Sequence, residues 1–487
     1  MSSSYFTDLA QQYIDGEWRP GTGDWDIIVC NPYDGEKLAS ITIATVGEVD
    51  EAYRSSARAQ KQWAATNAFA RRAVFEKVLR LVEEREAEIS EILVNEAGGT
   101  FGKAAFELHL AKEFLRESVH LSLRTEGSII PSPVDGKENR VYREPVGVVG
   151  VISPFNVPFL LSLKSVAPAL ALGNGVVLKP HQNTPISGGT VIAKLFEDAG
   201  LPPGLLNVVV TDIAEIGDAF LEHPVPQVIS FTGSDKVGRH VATVAASHFK
   251  RAVIELGGNS AFVVLDDADV DYAVDAAVFS RFVHQGQVCM AANRILVDRS
   301  LADEFTEKFV TKVKTLKAGD PRDPQTAIGP MINPSQAEAV SSVVEQAIAQ
   351  GASPLVHGTT TDNLVEPSVL ADLPADSALL RQEVFGPVVF LNTFDGEEEA
   401  VRLVNDTPYG LSGAVHTADV ERGVAFARQI VTGMFHVNDA TVHDEPLVPF
   451  GGEKNSGVGR LNGEATIEAF TTTKWISVQH GRSGFPF

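Results

Sequence analysis

The chain has 487 residues and a net charge of −23, from 40 basic and 63 acidic side chains. That length supports more than one domain, and the acidic balance argues against nucleic acid or an anionic membrane as a partner. A composition 44% hydrophobic and 21% charged excludes global disorder, and no apolar run reaches the ~18 residues of a membrane span.

The N-terminal stretch Met1-Ser2-Ser3-Ser4-Tyr5-Phe6 lacks a basic segment followed by an apolar one, so no secretory signal is read there. The two cysteines, Cys30 and Cys289, make no disulfide framework, and the expected location is the cytoplasm. The first ~30 residues are polar and turn-rich, closing on Asn31-Pro32. Amphipathic helical patterns then fill residues 46–119, with apolar positions at three- and four-residue spacing as in Val74, Val78 and Leu81. The segment 125–143, with Pro131, Pro133 and Gly136, reads as an extended, strand-built arm.

From Val146 the pattern alternates between strands and helices. The run Val146-Gly147-Val148-Val149-Gly150-Val151-Ile152 predicts a strand covered on both faces. A helix follows over 161–172, stopped by Gly173, then a strand at 176–178 and a helix over 186–199, stopped by Gly200. Next come a strand at 207–210, one helix over 213–221, a strand at 228–231 and a helix over 237–247. A second series begins at 261–265 and continues through helix 270–282, strand 295–297 and helices over 302–316 and 337–349. A last strand starts at Lys474 and runs into a loose tail. Repeated βα alternation implies parallel sheets wrapped by helices, an α/β protein.

Cys289 ends Phe282-Val283-His284-Gln285-Gly286-Gln287-Val288-Cys289, between a helix and a strand. It reads as a nucleophile or as a small buried hydrophobe. His284, five residues earlier, could pair with it or simply pack. Glu255 ends an apolar strand before Leu256-Gly257-Gly258. Burial would raise its pKa and suit it to general-base work; otherwise it caps the turn. Glu383 has a similar apolar setting before Phe385-Gly386-Pro387. Lys179 follows a strand and either faces a ligand or is solvated. Gly233 and Ser234 open a helix, where backbone N–H groups attract phosphate, although the Gly-x-Gly-x-x-Gly fingerprint is absent. No metal-ligand spacing and no Gly-x-Ser-x-Gly elbow appear.

Taken in order, Pro154-Phe155-Asn156, Lys179-Pro180, Phe231-Thr232-Gly233-Ser234, Glu255-Leu256-Gly257-Gly258, the segment ending at Cys289, Glu383-Val384-Phe385-Gly386-Pro387 and Pro449-Phe450-Gly451-Gly452 resemble the aldehyde dehydrogenase superfamily. The resemblance runs from about Tyr13 to Lys474. It implies two Rossmann-like parallel-sheet domains plus a small β oligomerisation arm: an NAD(P)-binding domain at 1–124 and 146–253, a catalytic domain at 254–455, and the arm at 125–145 and 474–487. It further implies Cys289 as nucleophile, Asn156 as oxyanion donor and Glu255 as the base that activates water. NAD is the implied cofactor, held by Phe155, Lys179, Gln182, Gly233, Ser234, Leu256, Glu383 and Phe385, in a homodimer or tetramer.

Two positions depart from the family pattern. Phe155 stands where Trp is frequent, and Gln182 stands where many NAD-specific members have a ribose-binding Glu, so NADP use is expected to be tolerated. The segments around Asn156, Cys289 and His443 look most like those of benzaldehyde and vanillin dehydrogenases. An aromatic aldehyde is therefore the expected substrate, with Val157, Leu161, Met290 and His443 at its pocket. A semialdehyde or aliphatic substrate, with Lys164 as an anchor, is the alternative within the family. A non-redox cysteine hydrolase using Cys289 and His284 is the alternative outside it.

Overall fold

In the computed structural model, residues 4–487 are described; residues 1–3, part of the stretch read for a secretory signal, lie outside them. Two sheets dominate. The first has eight strands, and its five central ones are parallel: Leu206–Val208, Gly175–Lys179, Val148–Ile152, Pro226–Thr232 and Arg251–Glu255 in spatial order. Side chains alternate between two cores, with Val149, Val151 and Leu178 on one face and Val148, Val177 and Ile229 on the other. This is the double burial that continuous Val/Ile runs require.

Chain order reverses beside Val148–Ile152. The chain steps outward through Gly175–Lys179 and Leu206–Val208, then returns to the other side with Pro226–Thr232. Such a switch point opens a crevice at the carboxyl ends of the strands. Helix Pro158–Ala171 starts from one side of it, with Pro158 in its first turn, and helix Asp235–Ser247, N-capped by Ser234, starts from the other.

The second sheet has seven strands. Ser368–Ala371, Val388–Phe394, Ala292–Asp298, Ser260–Val264, Gly413–His416 and His436–Val437 are parallel, and Ser353–Val356 is an antiparallel edge. The chain passes between the sheets at 256–259 and again at 453–456. Strand Gly457–Val458 then pairs antiparallel with Arg251–Glu255. Ser456 ties the two passages together: its carbonyl accepts from Leu256 N at 3.0 Å, its hydroxyl donates to the Gly257 carbonyl at 2.8 Å, and the same hydroxyl accepts from Gly410 N at 2.9 Å.

A third, three-stranded antiparallel sheet joins Ser128–Ile130, Lys137–Pro145 and Thr471–Gln479. Its terminal strand begins at Thr471, not at Lys474, because Thr471 pairs with Pro145 at the start of the ladder. Ile129 and Trp475 on this sheet are exposed.

Two further expectations are corrected. The helix expected over 213–221 is two short turns, Ile213–Ile216 and Ala219–Glu222, broken at Gly217, whose φ is +51°. The turn-rich N-terminal stretch supplies strands: Gln12–Ile14 and Glu17–Arg19 extend the first sheet through a left-handed Asp15-Gly16 turn. Among the described residues, no helix is long and apolar enough to cross a membrane.

Candidate active site

The loop leading to Cys289 owes its shape to left-handed backbone at three successive residues, His284, Gln285 and Gly286, with φ of +50°, +54° and +71°. That bend ends the preceding helix and turns the chain into strand Ala292–Asp298. Buried side chains hold it in place. Gln285 Nε2 donates to the Pro330 carbonyl at 2.8 Å, Gln287 Oε1 accepts from Ile332 N at 3.1 Å, and Arg281 donates to the carbonyls of Ala292 and Val384 at 3.2 and 2.8 Å. Arg281, in the last turn of helix Val270–Phe282, thereby joins the strand after Cys289 to the segment carrying Glu383 and Phe385.

Cys289 lines a cavity whose walls are mostly apolar: Phe106, Leu110, Val157, Leu160, Leu161, Val283, Val288, Met290, Val442 and Phe450. Asn156 and Glu255 line the same cavity, so the three residues expected to do the chemistry meet there. Asn156, in the loop after Val148–Ile152, donates from Nδ2 to the Gln287 carbonyl at 2.8 Å. Glu255, at the carboxyl end of its strand, is buried, and its Oε1 has no hydrogen-bond partner.

Burial sets the protonation states. It raises Glu255 above its ordinary range, opposed by the Lys164 charge. It pushes the Cys289 thiol up to about 12, helped by the carboxylates of Glu383 and Glu255. His284 also lines the cavity but is held well below its ordinary range by burial and by Lys103, so it is neutral and carries no charge that would stabilise a thiolate.

The expected cofactor residues gather at the switch point. Phe155 packs edge-on against Phe385, with ring centroids 5.9 Å apart, and against His181 at 5.2 Å. Lys179 ends its strand beside Ile152, and burial lowers it to about 8. Gln182 is exposed on the following turn. Gly233 sits under the Phe231 ring, where a Cβ would approach to 2.6 Å. Ser234 is exposed at its helix start, while Leu256 is buried against Gly238. Glu383 accepts from Gly258 N at 3.1 Å, and burial raises it to about 7.

Val157, Leu161 and Met290 line the cavity as expected from their positions in the sequence. His443 is not among the lining residues. Its Nε2 is 2.9 Å from Glu445 and its ring meets His436, while its neighbours Val442 and Asp444 face the cavity. Lys164 points at Asp444, with Nζ to Oδ2 at 2.7 Å, and both side chains are buried.

Lys103 and Glu107 escaped the sequence reading. Both are buried and form an ion pair. Glu107 also accepts from Phe159 N and Leu160 N at 2.8 and 3.1 Å, supplying the cap that helix Pro158–Ala171 lacks locally. A Lys and a Glu four residues apart ordinarily read as a solvated helix face, so only the packing reveals them.

Comparison with known proteins decides the family. The sequence model of the aldehyde dehydrogenase family matches residues 18–476. The chain belongs to the aldehyde dehydrogenase family. It is 57% identical over 482 residues to benzaldehyde dehydrogenase YfmT of Bacillus subtilis, covering 99% of each chain. It is 46% identical over 474 residues to a vanillin dehydrogenase of Corynebacterium glutamicum, covering 97% of this chain and 98% of that one. The crystal structure of an NAD-dependent benzaldehyde dehydrogenase from Corynebacterium glutamicum superposes with a TM-score of 0.90 at 43% identity, covering 99% of both chains. The α/β aldehyde dehydrogenase fold follows from these matches and from the two parallel sheets.

Proposed function

We propose that this aldehyde dehydrogenase oxidises aromatic aldehydes of the benzaldehyde and vanillin type to their carboxylic acids, with NAD as hydride acceptor. The observation that carries the reading is the apolar slot ending at Cys289, Asn156 and Glu255. A slot of this lining suits an aromatic ring. It offers no free cation to a carboxylate substrate, because Lys103 is paired with Glu107 and Lys164 with Asp444. That disfavours a semialdehyde, and the names of the relatives agree with an aromatic substrate.

The chemistry assigned to the residues is covalent. Cys289 Sγ gives its proton to solvent and attacks the aldehyde carbon. A C–S bond forms, and the carbonyl π electrons move to oxygen, giving a thiohemiacetal. Asn156 Nδ2 and the Cys289 backbone N–H would hold that oxyanion. NAD held at the switch point would supply the two-electron oxidant for this thiohemiacetal, whose carbon Cys289 keeps in place through the C–S bond and whose oxygen Asn156 holds. Glu255 then takes a proton from water, which attacks the thioester left on Cys289. The C–S bond breaks, the acid departs and the sulfur is returned.

The residues present fit a dinucleotide. The crevice lies at the carboxyl ends of parallel strands, a helix start is presented by Ser234, and a half-buried carboxylate, Glu383, and a half-buried amine, Lys179, are available to hydroxyl groups. Gln182 brings no negative charge to repel a 2′-phosphate, so we propose that NADP is tolerated. The domain limits we propose are 1–124 with 146–253 for the cofactor and 254–455 for the nucleophile, with the arm at 125–145 and 474–487. The exposed faces of the three-stranded sheet suit a homodimer or tetramer, and two free thiols suit a reducing compartment such as the cytoplasm.

A steady-state panel of benzaldehydes, short aliphatic aldehydes and succinate semialdehyde, with NAD and NADP and beside Cys289→Ala, tests the reading. Benzaldehydes should lead, and the variant should be inactive. Aliphatic or semialdehyde substrates clearly ahead would overturn the aromatic assignment. No turnover with NADP would overturn the tolerance claim.

A further inference from the structure

Beyond the reacting groups, the cavity presents few polar atoms. Lys103 is committed to Glu107. Both ring nitrogens of His284 are sealed within the protein, so a substrate would not reach them without rearrangement. Asp444 differs: it lines the cavity, and its side chain keeps 6% exposure.

Asp444 is also fixed in place. Lys164 Nζ donates to Oδ2 at 2.7 Å and Asn462 Nδ2 donates to Oδ1 at 2.8 Å. Lys164 is itself held over the Phe450 ring, 3.3 Å from its centroid. An ionised carboxylate has about four acceptor positions, so two donors leave room for more. Asp444 lines the cavity together with Val442 and Phe450.

We propose that Asp444 is a specificity residue whose carboxylate accepts a hydrogen bond from a ring hydroxyl of the aromatic aldehyde, so that phenolic benzaldehydes are selected over their methyl ethers. The assignment rests on the aromatic reading above. A phenol O–H meeting an anchored carboxylate makes a charge-assisted bond. A methyl ether cannot donate, and it places a methyl group against a charge. Lys164 serves here as a positioning residue for Asp444 rather than as an anchor for substrate.

The test is the ratio of kcat/KM for 3- and 4-hydroxybenzaldehyde to that for the corresponding methoxybenzaldehydes. It is measured in the intact enzyme, in Asp444→Asn and in the double variant Lys164→Met/Asp444→Leu, which removes the pair without stranding a buried charge. The intact enzyme should favour at least one hydroxyl substrate by about tenfold or more, and both variants should bring that ratio close to one. Because each ratio is taken within one preparation, loss of folded enzyme cancels. A ratio near one in the intact enzyme, or one unchanged by the variants, overturns the role of Asp444 and leaves the aromatic reading standing. Failure to oxidise any benzaldehyde while aliphatic aldehydes react overturns both.

Discussion

Asn156 donates its side-chain amide to the Gln287 carbonyl at 2.8 Å, linking the loop after the first sheet's central strand to the loop that carries Cys289. On the proposed mechanism, the amide that would hold the oxyanion is thereby kept beside Cys289. Replacing Asn156 with Ala should lower kcat by about a hundred- to a thousandfold, the usual cost of one oxyanion donor, with a much smaller change in KM. Steady-state kinetics at saturating cofactor would check this, and a change confined to KM would count against the role.

Glu255 is raised by burial above the ordinary carboxylate range, so its basic form is gained as pH rises and lost as pH falls. The kcat profile should therefore fall on the acid side through that raised pKa, above the 4.5 of an unperturbed glutamate. In Glu255→Gln the limb should vanish and kcat drop by about a hundred- to ten-thousandfold. A rapid burst of reduced cofactor should survive, because the acyl-forming half does not need that base. A variant with neither burst nor turnover would place Glu255 in the first half-reaction instead.

The thiol of Cys289 is held at about 12, so the free enzyme should resist alkylation near neutrality. The iodoacetamide rate at Cys289 should climb about tenfold per pH unit from 7 to 10, following the thiolate fraction. Peptide mapping separates it from the exposed Cys30. A plateau below pH 8 would contradict the high pKa.

A Cβ at Gly257 would come within 2.2 Å of Glu383 Oε2. Gly257→Ala should displace that carboxylate and raise KM for NAD at least about tenfold, roughly 1.4 kcal/mol of binding, with less effect on kcat. Cofactor titration in both proteins would measure it, and an unchanged KM would remove Glu383 from the cofactor site.

Glu107 holds a buried lysine and two backbone N–H groups at once. Glu107→Leu would strand all three and should cost about 3–5 kcal/mol, read from urea denaturation. The double variant Lys103→Met/Glu107→Leu should recover part of the loss, whereas a stable single variant would refute the pairing's role.

Much of this was legible in the sequence because the decisive groups sit at strand ends beside Gly or Pro. Lys179, Glu255 and the turn before Ser234 follow apolar runs whose period marks them. Helix Val270–Phe282 was readable to the residue, since Asp269 caps its start. What escaped depends on contacts distant in sequence. Glu107 and Asp444 are unremarkable locally, and their neighbours Phe159 and Lys164 come from another helix. His443 is expected at the pocket from the family resemblance of its segment, yet its ring turns to Glu445 and His436 while its neighbours Val442 and Asp444 line the cavity. Gly217 split a helix that composition alone joined.

The double passage of the chain between the sheets has a mechanical meaning. One connecting strand would act as a swivel; two laid side by side and laced through Ser456 form a ribbon that resists torsion. A rotation of one sheet against the other would have to twist both passages together and strain the bonds that join them.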